Sequence, residues 1–417
     1  MKTNFLNAAF GKLRSPDFQN QLWTLIATAL FAIFPSVFIL VTTRVIGLDN
    51  AGIIAYTVAL IELPRLLIIF GIRSYQATDI KQEFKFSIYF GLRTITAAIV
   101  SMIFATFVVL SGFDSTQFIV LLLIYFIFLT ESYADVFMGD LQQKGRMRVA
   151  GKMQASVYLS VILVYIVALL ITRSMPFSLL LVAVASFFIY ITWIWMHRNH
   201  FGAIRVKVDL KAIKKLALSV LPLVIAGLLF VYLVNAQKYY LEAFLSRETV
   251  AIYAILVLPV SLLMLACIGF FQGAIMTKTA SILAAGDKKR FTKRVSIQLL
   301  CSLALAVPFM LCVYFLGVPV LSWLYGIDLS PYRTYLIILS LGGTLRLPLS
   351  VISPVLIILR KQRALLYSIV ISAVIAGPLM WWLVSQYGLY GASFSNIIIF
   401  IPQVVLAYIM YRVALRS

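Results

Sequence analysis

HRNHFGAIRVKVDLKAIKK, residues 197–215, decides how this chain is read. Six of its 19 residues are Lys or Arg, and mostly apolar runs flank it at 176–196 and 216–237. A run of about 20 apolar residues covers the roughly 30 Å of a bilayer's hydrocarbon at about 1.5 Å per residue. The stretch is therefore a charged loop between two membrane spans, and its Arg205–Lys211 part is expected to run on an amphipathic helix into the second of them. Working outward by the same rule, cuts at the Lys and Arg clusters leave twelve apolar segments, at 19–43, 52–72, 86–111, 117–139, 150–172, 176–196, 216–237, 249–274, 295–323, 333–359, 364–386 and 391–411.

The charges then fix an orientation. Both termini and every second junction together carry 27 of the 35 Lys and Arg residues. The opposite junctions carry only Arg44, Arg173, Lys238, Arg247 and Arg333. Basic loops stay on the cytoplasmic side, so both termini are expected inside. The net charge of +21 is mostly this topology label. No segment outside the spans is long enough to gather that charge on one soluble face, which argues against a nucleic-acid partner. A hydrophobic content of 63% and a mean hydropathy of +1.02 place the whole chain among polytopic membrane proteins.

The first apolar run is too long for a signal-peptide core, so no cleaved signal is expected, and Met1–Gln19 is a topogenic leader or a short interfacial helix. Cys267, Cys301 and Cys312 fall inside spans, an odd and scattered set that gives neither a disulfide framework nor a metal site. His197 and His200 beside Arg198 suit a solvated interface rather than a ligand set, and no metal or other cofactor is expected.

The central loop divides the chain into an N-terminal lobe of six spans (1–196), a cytoplasmic linker (197–215) and a C-terminal lobe of six spans (216–417). A transporter built from two related halves places its hinge and its binding site at such a division. A faint internal echo supports duplication: Pro35, Arg44 and Ala51–Pro64 are followed in the second half by Pro222, Lys238 and Val250–Pro259. Prolines within the spans (Pro35, Pro64, Pro222, Pro259, Pro308, Pro348, Pro354, Pro378 and Pro402) each remove a backbone donor and can bend a helix. Pro35 and Pro222, at equivalent places, are the hinge candidates.

A charge near the bilayer centre costs about 2.5–3.5 kcal/mol on insertion scales. Glu62, Arg65, Arg93, Glu131, Asp135 and Arg346 fall inside spans and need an explanation. Helix rise puts Glu62 about 15 Å and Arg65 about 20 Å below the outer face, Glu131 and Asp135 about 21 and 27 Å below it, and Arg93 about 10 Å above the inner face. Glu62/Arg65 at i, i+3 and Glu131/Asp135 at i, i+4 each share a helix face. Two readings follow. Either Arg65 and Arg93 neutralise the carboxylates and pin spans two to four together, or some of these groups, Arg65 and Glu62 first, face a water-filled cavity and receive an anionic head group. Glu62, Arg93, Glu131 and Asp135 are thus candidates for ion coupling or for an internal ion network. Arg346 lies about 20 Å into span ten, with no acidic residue in spans seven to twelve to pair with it. Its fork suits phosphate oxygens, the alternative being carbonyls freed around Pro348. Arg44 and Lys238, by position, are interfacial anchors.

The chain resembles polysaccharide flippases (Wzx-like, O-antigen/teichoic-acid type) of the multidrug/oligosaccharidyl-lipid/polysaccharide exporter superfamily. The resemblance rests on Thr43-Arg44-Val45-Ile46-Gly47 to Ala51-Gly52, Gly71–Ile80, Tyr89–Arg93, Asn235-Ala236-Gln237-Lys238-Tyr239, Gly317–Leu321 and Tyr332-Arg333 to Gly342-Gly343. It departs from relatives at Gln237 and Gly273, where Pro is common. The resemblance implies two six-helix lobes related by a pseudo-two-fold axis, with a V-shaped central cavity opening alternately to either side. It implies flipping of an undecaprenyl-pyrophosphate-linked oligosaccharide across the bacterial cytoplasmic membrane for surface polysaccharide export. A polysaccharide polymerase and glycosyltransferases are the partners it implies, besides the lipid-linked substrate and membrane lipids. The family's cavity cations carry over to Lys238 and, by helix placement, to Arg44, Arg65 and Arg346.

A non-enzymatic flippase also fits the charges. A pyrophosphate cannot cross hydrocarbon unaided, and no phosphate-binding loop for ATP is present. A cation-coupled drug antiporter of the same superfamily is the alternative. It would want carboxylates in spans one or seven, but span one has none after Asp17 and span seven has none before Glu242. A membrane polymerase or ligase ranks third, because the outer junctions are too short to hold sugars and catalytic groups.

Overall fold

The computed structural model describes residues 16–79, 82–201, 209–272, 279–283, 285–359 and 361–416. The leader through residue 15, linker residues 202–208 and Gly273 lie outside the described residues. The fold is all-α. In chain order the helices are α1 (Pro16–Ile46), α2 (Leu48–Ile69), the short α3 (Ile72–Thr78), α4 (Phe86–Leu110), α5 (Ser115–Gln143), α6 (Met147–Thr172), α7 (Met175–Met196), α8 (Leu210–Phe244) and α9 (Arg247–Gln272). There follow α10 (Lys288–Ala304), α11 (Ala306–Cys312), a π turn (Val313–Gly317), α12 (Val318–Tyr325), α13 (Arg333–Thr344), α14 (Leu347–Ile358) and α15 (Gln362–Arg416).

Eleven helical stretches among the described residues are long and apolar enough to cross a membrane. The last, within the 55 residues of α15, holds two spans. As one rod it would be about 80 Å long, far more than a bilayer needs. The chain instead reverses at Gly388, whose φ of 53° and ψ of −127° only glycine adopts readily. The reversal is tight: a Cβ on Gly391 would lie 2.0 Å from the Leu383 carbonyl oxygen. The chain is therefore a twelve-span polytopic protein, with boundaries close to those expected from the sequence.

Helices are the natural choice for this composition, because hydrocarbon offers no partner to a free N–H or C=O. Hydroxyl side chains within the spans bond back along their own helix, as Thr43 does to Ile39 (2.8 Å), Ser132 to Phe128 (2.7 Å) and Ser395 to Gly391 (2.7 Å). Leu110, Ile171 and Trp323 are more than three-quarters exposed, an outward apolar surface suited to lipid and not to water. α1 and α8 run helical through Pro35 and Pro222.

The described residues group into two compact units, one within Met1–Phe38 and Leu60–Leu228, the other within Ile39–Ala59 and Leu229–Ser417. The first has a core of Phe86, Tyr89, Leu92, Phe137, Leu216 and Val220. Farther along it, Phe34 packs on Phe38, Phe128 and Tyr158, and Phe38 stacks on Tyr165 with centroids 3.9 Å apart. The second unit has one core around Val260, Met264, Phe291, Leu347, Val351 and Tyr411, and another around Leu233, Met380, Ile399 and Phe400.

Candidate functional site

In the first unit the site is built on a break in span two. The sequence runs that span to residue 72, but the helix stops at Ile69. Phe70 (φ 49°) and Gly71 (φ 63°) take the left-handed conformation, and α3 restarts at Ile72. A break at this depth strands carbonyls that water cannot reach. Arg93 answers it: its Nη1 donates to the Ile68 oxygen at 3.0 Å, joined by the Thr96 hydroxyl at 3.0 Å. Arg93 is fully buried, and its Nη2 donates to Asp135 Oδ2 at 2.8 Å. The other oxygen of Asp135 accepts from Arg73 Nη1 at 3.2 Å. Arg73 stands on α3, so the break itself delivers it to the carboxylate.

One turn along α5 from Asp135, Glu131 receives Arg65 through two parallel bonds of 2.9 and 3.0 Å. Glu62 lies 3.6 Å from the same guanidinium. The Arg65 cation also sits over the rings of Phe31 (4.9 Å) and Phe128 (5.3 Å). Three guanidiniums thus face the three carboxylates Glu62, Glu131 and Asp135. Matching of this kind is what makes burial of such charges tolerable, since a lone buried ion costs several kcal/mol. The structure brings together all five sequence-selected charges of this unit. It adds Arg73, the first residue after the expected span two and so not among the in-span charges that the sequence singled out. The available signal was its place two residues after Gly71 at the end of an apolar run, with three acids in the first six spans against two arginines.

Asp79 organises the turn between α3 and α4. It accepts from the amides of Glu83 (2.9 Å) and Phe84 (3.2 Å) and from the Tyr89 hydroxyl (2.8 Å). Burial pushes the Asp79 carboxyl up, but these donors outweigh it and hold the group below its ordinary value. Glu83 is also held low, by its hydrogen bond from Lys215.

The cations of the second unit have different surroundings. Arg44 Nε donates to the Leu324 carbonyl at 2.6 Å, and its Nη2 donates to the Trp323 carbonyl. These are last-turn acceptors of α12, which ends at Gly326 (φ 71°), so Arg44 caps the negative end of that helix. Lys238 Nζ donates to Asn235 Oδ1 at 3.3 Å, one turn back on α8. Beside it, the Tyr239 hydroxyl donates to the Ala59 carbonyl at 2.6 Å.

Arg346 occupies a second interruption, between α13 and α14, where Pro348 cannot donate to the preceding turn. Its guanidinium lies over Phe400 (5.0 Å) and Phe230 (5.7 Å). Among the described residues no carboxylate or carbonyl pairs with its side chain. Such a fork, held between aromatic faces with its N–H edge uncommitted, can receive an oxyanion. His197 stacks on Trp193 at 5.1 Å, and no group of three His, Cys, Asp or Glu among the described residues is placed to hold a metal ion.

No family model matches the sequence, and no curated protein matches it. Solved structures do. The lipid II flippase MurJ in an inward closed conformation superposes with a TM-score of 0.70 at 15% identity, over 94% of this chain and 87% of that one. An inward-facing multidrug resistance MATE family transporter of the MOP superfamily gives 0.68 at 12% identity, over 92% of this chain and 94% of that one. A MOP superfamily transporter from Pyrococcus furiosus, reported for the reverse polarity of its binding pocket, gives 0.61 at 13% identity, over 97% and 98%. What these likenesses show is the architecture: the chain has the twelve-helix fold of MOP superfamily transporters.

Proposed function

We propose that this chain is a non-enzymatic transporter that flips an undecaprenyl-pyrophosphate-linked oligosaccharide across the bacterial cytoplasmic membrane by alternating access, with both termini in the cytoplasm. The observation that carries this reading is Arg346, a membrane-depth guanidinium between two phenylalanine rings, with no carboxylate against it among the described residues. An unmatched buried cation requires an anion or water, and a pyrophosphate supplies the anion. The sugars and diphosphate would exchange water for such cations, while the polyprenyl chain stays in lipid. Of the four cations selected from the sequence, Arg346 bears most weight. Arg44 and Arg65 are held by protein acceptors in this structure, and Lys238 stands with Asn235. Moving one charge through the membrane potential is worth about 2.3 kcal/mol per 100 mV, which can drive such a cycle without ATP.

A drug or organic-cation antiporter is the second reading, because MATE transporters share the fold. It calls for a carboxylate available to a cation. Glu131 and Asp135 are each engaged by arginine, which weighs against it. The test is depletion of the protein in its host. Lipid-linked repeat units should accumulate on the inner leaflet, and Arg346→Ala should fail to restore export while staying in the membrane. Unchanged lipid-linked intermediates together with sensitivity to organic cations would transfer the assignment to the antiporter.

A further inference from the structure

The inner ends of spans nine and twelve, both in the second unit, leave a cavity of about 180 Å³ between α10 and α15. Thr292 and Ser296 line it from one helix; Tyr408, Tyr411 and Arg412 line it from the other. The spacings i, i+4 and i, i+3, i+4 put each set on a single helix face. No acidic residue lines the cavity. Tyr411 is 2% exposed, and its hydroxyl has no hydrogen-bond partner among the described residues. A buried phenol in that state lacks the acceptor that it would have had in water. Arg412 gives one N–H to the Tyr408 oxygen at a long 3.5 Å, a small part of its five-donor fork. The Thr292 hydroxyl already donates to the Lys288 carbonyl, so it adds lining and no donor.

The level of the cavity identifies the ligand class. Toward the cytoplasm α10 continues into Lys288, Lys289, Arg290 and Lys293. Toward the membrane, Ile297, Leu300 and Ile409 present exposed apolar side chains. The cavity therefore sits where the basic end of the helices meets their lipid-facing surface, at the depth of head-group phosphates. The geometry points to a site for the phosphate of an anionic phospholipid of the inner leaflet, held by the Arg412 guanidinium and the Tyr411 and Ser296 hydroxyls. A phosphate diester offers acceptor oxygens only, which is what a donor-rich cavity without carboxylates selects. The site is separate from the Arg346 region and does not depend on which cargo the protein carries.

The test uses the purified full chain in phosphatidylcholine nanodiscs doped with phosphatidylglycerol, with bound lipid counted by native mass spectrometry. The wild type should retain phosphatidylglycerol. Arg412→Gln and Tyr411→Phe should each weaken retention about tenfold, the scale of one charge-assisted hydrogen bond or of one buried hydroxyl. Lys289→Gln, on the same basic surface but outside the cavity, should leave it unchanged. Tyr411→Phe keeps the ring in its core and decides the matter if Arg412→Gln folds poorly. Undiminished retention in the cavity variants, or equal loss in Lys289→Gln, overturns the site. Inorganic phosphate should not displace the lipid; displacement would overturn the lipid assignment in favour of a free anion.

Discussion

Arg93 gives the sharpest test of how the first unit holds together. The fully buried guanidinium bonds the Ile68 oxygen at the span-two break and Asp135 across to α5. Replacing it by Met keeps an unbranched apolar stem and deletes the charge. Removing one partner of a buried pair typically costs about 3–5 kcal/mol, because the other ion is left uncompensated. Here Arg73 still faces Asp135 at 3.2 Å, and Thr96 still donates to Ile68. Both soften the loss, so we expect the lower end, about 3 kcal/mol. The assay is unfolding in mixed detergent micelles, read as a double-mutant cycle with Asp135→Asn. The cycle should return a coupling on the order of 2 kcal/mol, within the usual range for residues of one ion network. Flux per folded molecule should be retained, because this arginine positions helices. A single variant within about 1 kcal/mol of wild type, or additive single variants, would refute the reasoning.

Arg346 should behave in the opposite way. Losing two aromatic–cation contacts is offset by no longer burying an unmatched charge, so Arg346→Ala should unfold within about 1 kcal/mol of wild type while export is lost. Arg346→Lys should restore export in part at best, since a point charge cannot reproduce the fork; full restoration would count against a bidentate phosphate contact. The Asp79 turn should depend on pH. Its carboxyl is lowered in the folded chain, so the stability it lends is present above the ordinary value of 3.8 and is lost as pH falls through the lower folded value. Hydrogen exchange at the Glu83 and Phe84 amides, corrected for intrinsic rates, should report that loss, and Asp79→Ala should abolish the pH dependence. Gly391→Ala should prevent the span eleven–twelve hairpin from closing, because its Cβ would meet the Leu383 carbonyl at 2.0 Å; undiminished yield of folded protein would contradict that packing.

The twelve spans and the hairpin near Gly388 were legible in the residues, because insertion is decided locally. Each stretch of about 20 residues is weighed on its own apolar content, and the flanking Lys and Arg orient it. The unusual charges were legible for the same reason, Arg346 most clearly, since the second half has no acid within its spans. What local reading could not supply was the pairing. Arg65 meets Glu131 across 66 residues of chain, Arg44 meets the carbonyl of Leu324 across 280, and nothing in a helical period specifies either encounter. The end of span two was missed as well. An apolar run through Ile72 favours a continuous helix, and the break at Phe70–Gly71 holds only because Arg93 and Thr96 arrive from α4 to take the freed carbonyl. Sequence alone determined which segments enter the membrane and which charges enter with them. Tertiary structure decided which of those charges are neutralised and which one, Arg346, stands without a counter-charge among the described residues, because the energy of a buried ion is set by the groups packed around it.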